Sequence, residues 1–325
     1  MSQDCLNKAV ITIATGKPIY IEMAVNLARS FKWWHKNSSI EFYLATDRQD
    51  LVPNDLQDIN IIELNSDQAN QGFCSKLYLD KLVPANKNLF IDADCLCYGN
   101  LDFVFKKFEG HAVSVIGKPS KQGEFFGNIE DMCTKFEVPE IPVFVGSIYY
   151  LEKGETCSQV FSTARKLKSK YDEYGLVRLR NKPNEEPLIA ISMAIHHQKA
   201  IEHDGCIKAD MMQFEPNIKV DILSGFTQVT VIKEHQIELS FTQANPAIIH
   251  YNDNFIRHHS YIKASVILNK MMFRQWNSSV AKVYGDLFYF FIEQYRQLII
   301  VFKDNFRIIY RKVLGYRKIK ANVRS

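Results

Sequence analysis

Glycine and proline are scarce in this chain, at 14 and 10 residues. Their scarcity excludes collagen-like repeats and linker-rich, low-complexity architectures. Cysteines number seven, and only Cys95 and Cys97 stand close together. No Cys-x-x-Cys pair exists, so neither a zinc ribbon nor a dithiol redox motif is indicated. The expectation is reduced thiols, mostly small core residues, in a cytosolic protein. No run reaches the ~18 uninterrupted apolar residues of a membrane span. The most apolar stretch, Leu287 to Phe302, is broken by Glu293, Gln294, Arg296 and Gln297. Met1 to Lys8 is polar, and the run Ala9 to Ala14 is too short for a secretory h-region, so no leader is expected.

A large net charge is also lacking: the total is +4 over 325 residues. That figure hides a division. Ile262 to Ser325 holds 13 Lys/Arg against three acids, a net of +10, which leaves −6 on the preceding residues. A mildly acidic body disfavours nucleic acid as a partner, since phosphate contacts need a basic surface. Hydrophobic residues at 46% and charged residues at 23% fit a globular chain of one large domain plus an appendage.

Hydrophobic periodicity gives the order of elements. Lys8 to Ala14 reads as a buried strand, and Thr15-Gly16-Lys17-Pro18 breaks it. Ala24, Leu27, Ala28, Phe31 and Trp34 recur at helical spacing behind Pro18. Strands are expected at Ile40–Ala45, Ile59–Leu64 and Asn88–Ile91, and a helix at Ser75–Leu82. This alternation implies a parallel α/β sheet. Further strands are expected at His111–Ile116 and Val143–Leu151, with loops and turns over Lys118–Pro142. Helices are expected at Thr156–Lys170 and Glu185–Gln198. Short strands follow at Ile218–Leu223, Gln228–Ile232, Gln236–Ser240 and Ala247–Tyr251. No internal repeat is visible.

Asp92-Ala93-Asp94 carries the chemistry. In an open α/β sheet, ligands sit outside the carboxyl ends of the strands. Two carboxylates one residue apart, just after a strand, can approach a hard divalent cation together. An isolated pair of acids would more simply be a solvated loop. The preceding run, Ser75-Lys-Leu-Tyr-Leu-Asp-Lys-Leu-Val-Pro84, changes that reading. With Asn88-Leu-Phe-Ile-Asp-Ala-Asp-Cys-Leu96 it resembles the GT-A glycosyltransferases, and among them glycosyltransferase family 8. The resemblance runs from Ala14-Thr15-Gly16 to His250.

The resemblance implies a GT-A, Rossmann-like α/β domain over residues 1–261. A basic, aromatic-rich helical extension would follow over 262–325. It implies a hexosyltransferase-type enzyme using Mn2+ or Mg2+ and a nucleotide-sugar, with a UDP-sugar favoured. Asp92, Asp94 and His250 would hold the metal. Ala14, Thr15, Gly16 and Tyr20 would contact the nucleotide, and Lys76 an acid or phosphate. Pro142 to Tyr150 would back the sugar. Glu185 and Glu186 would act on the acceptor side, although two acids at a helix start equally complement the macrodipole. The Gly and Lys-Pro-Trp that often follow the family's histidine are absent, and Arg257 is the candidate diphosphate cation in their place. His196, His197, His258 and His259 read as structural or surface residues. Retention of configuration is the expected outcome.

The acceptor would be a glycan or a lipid-linked glycan. The interleaved apolar and basic residues of the extension suit either a helical cap or an amphipathic element on an anionic membrane surface. The expected location is cytoplasmic, with peripheral attachment at the inner membrane face. Two other readings stand beside this one. The first is a non-catalytic GT-A-like protein that binds carbohydrate or acts as a scaffold. The second, a nucleotidyltransferase, lacks its Gly-rich phosphate loop here.

Overall fold

The computed structural model describes residues 7–236 and 239–314. The chain divides into two units, Met1–Ile256 and Arg257–Ser325. Among the described residues, the first unit opens with β1 (Lys8–Ile13), α1 (Pro18–Trp34), β2 (Glu41–Thr46) and β3 (Asn60–Glu63). Then come α2 (Ser66–Ala69), β4 (Lys87–Ile91), β5 (Cys95–Cys97), α3 (Asp102–Lys107), β6 (Val113–Ser120) and α4 (Ile129–Phe136). They are followed by β7 (Ile141–Glu152), α5 (Glu155–Lys168), α6 (Glu185–Ile195) and β8 (Lys208–Asp210). β9 (Lys219–Asp221), β10 (Phe226–Thr230), β11 (Gln243–Ala244) and β12 (Ile248–His250) complete it.

The main sheet has six strands in the order β3-β2-β1-β4-β7-β6. β1 through β4 are parallel neighbours, which buries both faces and explains the continuous apolar run of β1. The expected parallel α/β arrangement is present in these four strands. β7 runs antiparallel to both β4 and β6. Gly117 sits at a bulge of that last pair, where an added Cβ would lie 2.2 Å from the Val143 carbonyl oxygen. Two smaller sheets, β11-β10-β9 and β5-β12-β8, carry the later strands.

Two further expectations change. The helix expected at Ser75–Leu82 is a 3-10 helix over Gly72–Lys81, with Leu82 at its C-cap. Cys74, Leu77 and the Asp80 side chain, three residues apart, are buried, and Leu79 is buried beside them. The interval 118–142, read as loops and turns, contains the end of β6, the start of β7 and α4. Asn128 caps α4 by accepting from the Asp131 amide at 2.9 Å, and Glu137 ends it in the left-handed conformation. The strand expected at Gln236–Ser240 lies partly outside the described residues.

The core of the first unit joins β7, α5, α6 and the 3-10 helix through Tyr149, Phe161, Leu77 and Leu188. The second unit contains α7 (His259–Met272) and the 37-residue α8 (Ser278–Leu314). Gly285 lets the two helices approach, since a Cβ there would meet Ile267 at 2.7 Å. No helix among the described residues is long and apolar enough to cross a membrane. All six described cysteines are free, and four of them are buried.

Candidate active site

The strand order reverses between β1 and β4: β2 and β3 lie beyond β1, and β7 and β6 beyond β4. Such a reversal opens a crevice at the carboxyl edge of the sheet. Asp92 leaves β4 at that edge. Its amide donates to the Ser147 carbonyl at 2.9 Å, and its carbonyl accepts from the Cys95 amide at 3.0 Å. The resulting turn carries Asp94 into β5. β5 pairs antiparallel with β12, with Cys95 opposite His250, while Asp210 of β8 flanks His250 on the other side.

These pairings bring residues distant in sequence together. The Asp94 Oδ1 lies 3.2 Å from His250 Nε2. His250 Nδ1 donates to Asp210 Oδ1 at 2.7 Å. Asp210 pairs with Lys208 at 2.9 Å and accepts from the Ser147 hydroxyl at 3.1 Å. Burial alone would lower the imidazole's pKa. The flanking carboxylates of Asp94 and Asp210 outweigh it and push His250 up to about 10. Burial would raise Asp210, but Lys208 and His250 hold it well below the usual carboxylate range. Asp94 is likewise lowered: burial opposes ionisation, and His250 more than offsets it. Asp92 is raised to about 6, because its desolvation exceeds the help from Lys76.

Asp94, Cys95 and His250 offer ligand atoms within 4.8 Å of one another. Burial pushes the Cys95 thiol well above its ordinary range. Beside it, Asp94 and His250 offer a carboxylate and an imidazole. A protonated histidine bridging two carboxylates marks a place of strong negative potential, the environment a divalent cation requires. The residues present therefore fit a hard metal ion.

A second cluster adjoins the first. Lys76, on the 3-10 helix, donates to Asp92 Oδ2 and to the Gly146 carbonyl, both at 2.8 Å, and lies 3.1 Å from Glu185. Its pKa is raised: burial opposes the charge, but Asp92 and Glu185 overcome it. Glu185 and Glu186 open α6, where Asn184 accepts from the Glu186 amide at 3.4 Å. Glu185 is buried, and Glu186 accepts from the Gly146 amide at 2.9 Å. Burial and the neighbouring Glu185 charge push Glu186 up to about 8. Gly146 has no room for a side chain, since a Cβ would meet Tyr149 Oη at 2.5 Å and Glu186 at 2.9 Å.

Ala14, Thr15 and Gly16 leave β1 at the same carboxyl edge. Gly16 adopts φ +74° and donates its amide to Asp47 at 2.9 Å. Thr15 donates its hydroxyl to the Ala69 carbonyl at 3.1 Å. Tyr20 is exposed in the first turn of α1. Contacts thus join Lys76, Asp92, Asp94, Glu185, Glu186 and His250 into one site. Arg257 opens the second unit, where its carbonyl accepts from Arg296 at 3.3 Å.

Sequence reasoning missed Asp210, Lys208 and Asp47, and placed Ser147 only within the stretch expected to back the sugar. Asp47 carried a usable signal, since it follows the β2 run as Asp92 follows β4.

The sequence matches no protein-family model and no curated protein. Among solved structures the chain is similar to an active-site mutant of LgtC, with a TM-score of 0.51 and 11% identity over 75% of this chain and 87% of that one. It is also similar to the glycosyltransferase GlyE of Streptococcus pneumoniae TIGR4, with a TM-score of 0.50 and 14% identity. That match covers 85% of this chain and 63% of GlyE. The fold of the chain is GT-A.

Proposed function

We propose that this GT-A chain is a metal-dependent glycosyltransferase. It moves a sugar from a nucleotide-diphosphate donor, with UDP favoured, to a glycan or lipid-linked acceptor. The observation that carries this reading is the meeting of Asp94 with His250 Nε2 beside Asp92, at the strand-order reversal. The quoted motifs support family 8 within that fold.

Asp92, Asp94 and His250 would hold the cation. Carboxylates suit Mg2+ and Mn2+, and the imidazole shifts the choice toward Mn2+. The bound cation supplies charge stabilisation for the departing diphosphate. Ala14, Thr15, Gly16 and Tyr20 border the nucleotide crevice. Lys76 fixes Asp92 and Glu185 in place. The acceptor oxygen bonds to the anomeric carbon as the bond from that carbon to the phosphate oxygen breaks. Retention of configuration is the favoured outcome, with the acceptor proton passing to the leaving diphosphate and Glu185 orienting the acceptor.

A screen of nucleotide-sugars with Mn2+ tests this reading. The folded wild-type chain is expected to hydrolyse or transfer from at least one UDP-sugar, and Asp92→Ala to lose about 100-fold or more of that turnover, as loss of a transition-state electrostatic element does. Wild-type turnover in a folded Asp92→Ala chain would sink the site assignment. The Lys76 bond to Asp92, which compensates the carboxylate without any ion, favours the second reading, a non-catalytic carbohydrate-binding protein. A wild-type chain that binds glycan but turns over no donor would select it.

The second unit supports attachment to an anionic lipid surface, as peripheral docking at the cytoplasmic membrane face requires. Phe291, Leu298 and Phe302 share one face of α8 and are 66%, 67% and 72% exposed, and the same helix carries Lys303 and Arg307.

A further inference from the structure

We infer that Asp210 is a positioning residue of the metal centre, and that Ser147 couples it to Asp92, so that both halves of the donor set are held by one residue of β7. This inference rests on the metal-dependent reading above. A histidine that binds metal through one ring nitrogen commonly donates from the other to a carboxylate, which fixes the tautomer and the ring plane. Here Asp210 Oδ1 accepts from His250 Nδ1 at 2.7 Å, leaving Nε2 turned toward Asp94. Asp210 is fully buried, so its charge needs compensation. Lys208, 1% exposed, supplies it at 2.9 Å.

Ser147 joins the two halves. Its carbonyl accepts from the Asp92 amide at 2.9 Å. Its hydroxyl donates to Asp210 at 3.1 Å and accepts from Lys208 Nζ at 3.1 Å. Lys208 also donates to the Val145 carbonyl at 2.8 Å. The strand β7, beside β4, therefore also sets the histidine ring, through one buried hydroxyl and one buried ion pair.

The test measures Mn2+ binding to the purified full chain, by calorimetry and by the Mn2+ electron-spin signal, with thermal unfolding as the control for folding. Asp94→Asn serves as the reference variant that removes a donor. Asp210→Asn keeps the shape and removes the charge; it is expected to weaken Mn2+ about 10- to 100-fold, the usual range for such outer partners. Ser147→Ala keeps both backbone bonds and is expected to weaken it by a few-fold to about tenfold. In wild type, the nitrogen resonances of His250 are expected to show Nδ1 protonated with Nε2 on the metal, and Asp210→Asn to lose that single tautomer. If wild type binds Mn2+, Asp94→Asn loses it, and folded Asp210→Asn and Ser147→Ala bind as wild type does, the positioning role is refuted while the metal site stands. If wild type binds no divalent cation, the metal reading and this inference fall together.

Discussion

His203 is half-buried, with its Nδ1 accepting from the Gly205 amide at 3.2 Å and Phe241 beside its ring. Desolvation, reinforced by Lys208, lowers its pKa to about 4, with Asp210 and Asp204 opposing. The folded chain thus keeps it neutral where the unfolded chain protonates it. Its contribution is fully present above the unfolded value of 6.5 and is lost as pH falls toward 4. Between pH 7 and 5 this single group should cost about 2 kcal/mol. Denaturant titrations of wild type and His203→Asn, which keeps an acceptor for Gly205, check it: the variant's loss over that interval should be smaller by about that amount. Equal losses would refute the assignment. The same physics decided which site residues were legible. Asp92 and Asp94 follow the apolar β4 and His250 ends β12, and the family resemblance, more than the strands, singled them out. Asp210 and Lys208 sit in a strand of three residues, too short for periodicity to register, and a charged pair there reads as solvated until the fold buries it.

The 3-10 helix Gly72–Lys81 positions Lys76, and its anchor is electrostatic. Arg165 of α5 grips Asp80 at 2.6 and 3.1 Å and donates to the Leu77 carbonyl at 2.6 Å. The Asp80 side chain is 1% exposed, so removing Arg165 leaves a buried charge with only the exposed Lys81, 3.4 Å away, to compensate it. Arg165→Met is expected to destabilise the chain by about 3 kcal/mol. Arg165→Met with Asp80→Asn should recover part of that loss in the same denaturant assay. A cost below about 0.5 kcal/mol, the scale of an exposed pair, would count against this anchor. Elements with a long regular period, such as β1, α1, α5 and α6, were readable in the sequence. The 3-10 helix was not, because its period of three and the helical 3.6 are hard to separate over ten residues. Short α4, set among glycines, looked like loop. The antiparallel direction of β7 is a property of pairing, which a strand's own pattern does not record.

The net charge of +4 combines a mildly acidic stretch before residue 262 with the strongly basic one that follows. Arg317, Lys318, Lys320 and Arg324 of that basic stretch lie outside the described residues. If α8 seats on lipid, the full chain should sediment with vesicles containing anionic lipid at low salt and release at high salt. Leu298→Glu with Phe302→Glu should weaken that binding at least about tenfold, since each burial contributes on the order of 1.5–3 kcal/mol. Hydrolysis of a soluble donor should be unchanged. Sedimentation that is equal with neutral vesicles, or indifferent to the double substitution, would argue for a protein partner or a helical cap instead. The strand β12 carries a further consequence. It is the last strand of its unit, yet it lies between β5 and β8 and brings Tyr251 within 2.7 Å of Tyr98, 153 residues earlier. Closing so long a loop is entropically slow and late. A ribosome-bound chain that has completed only the main sheet therefore still lacks the strand that sets His250 between Cys95 and Asp210.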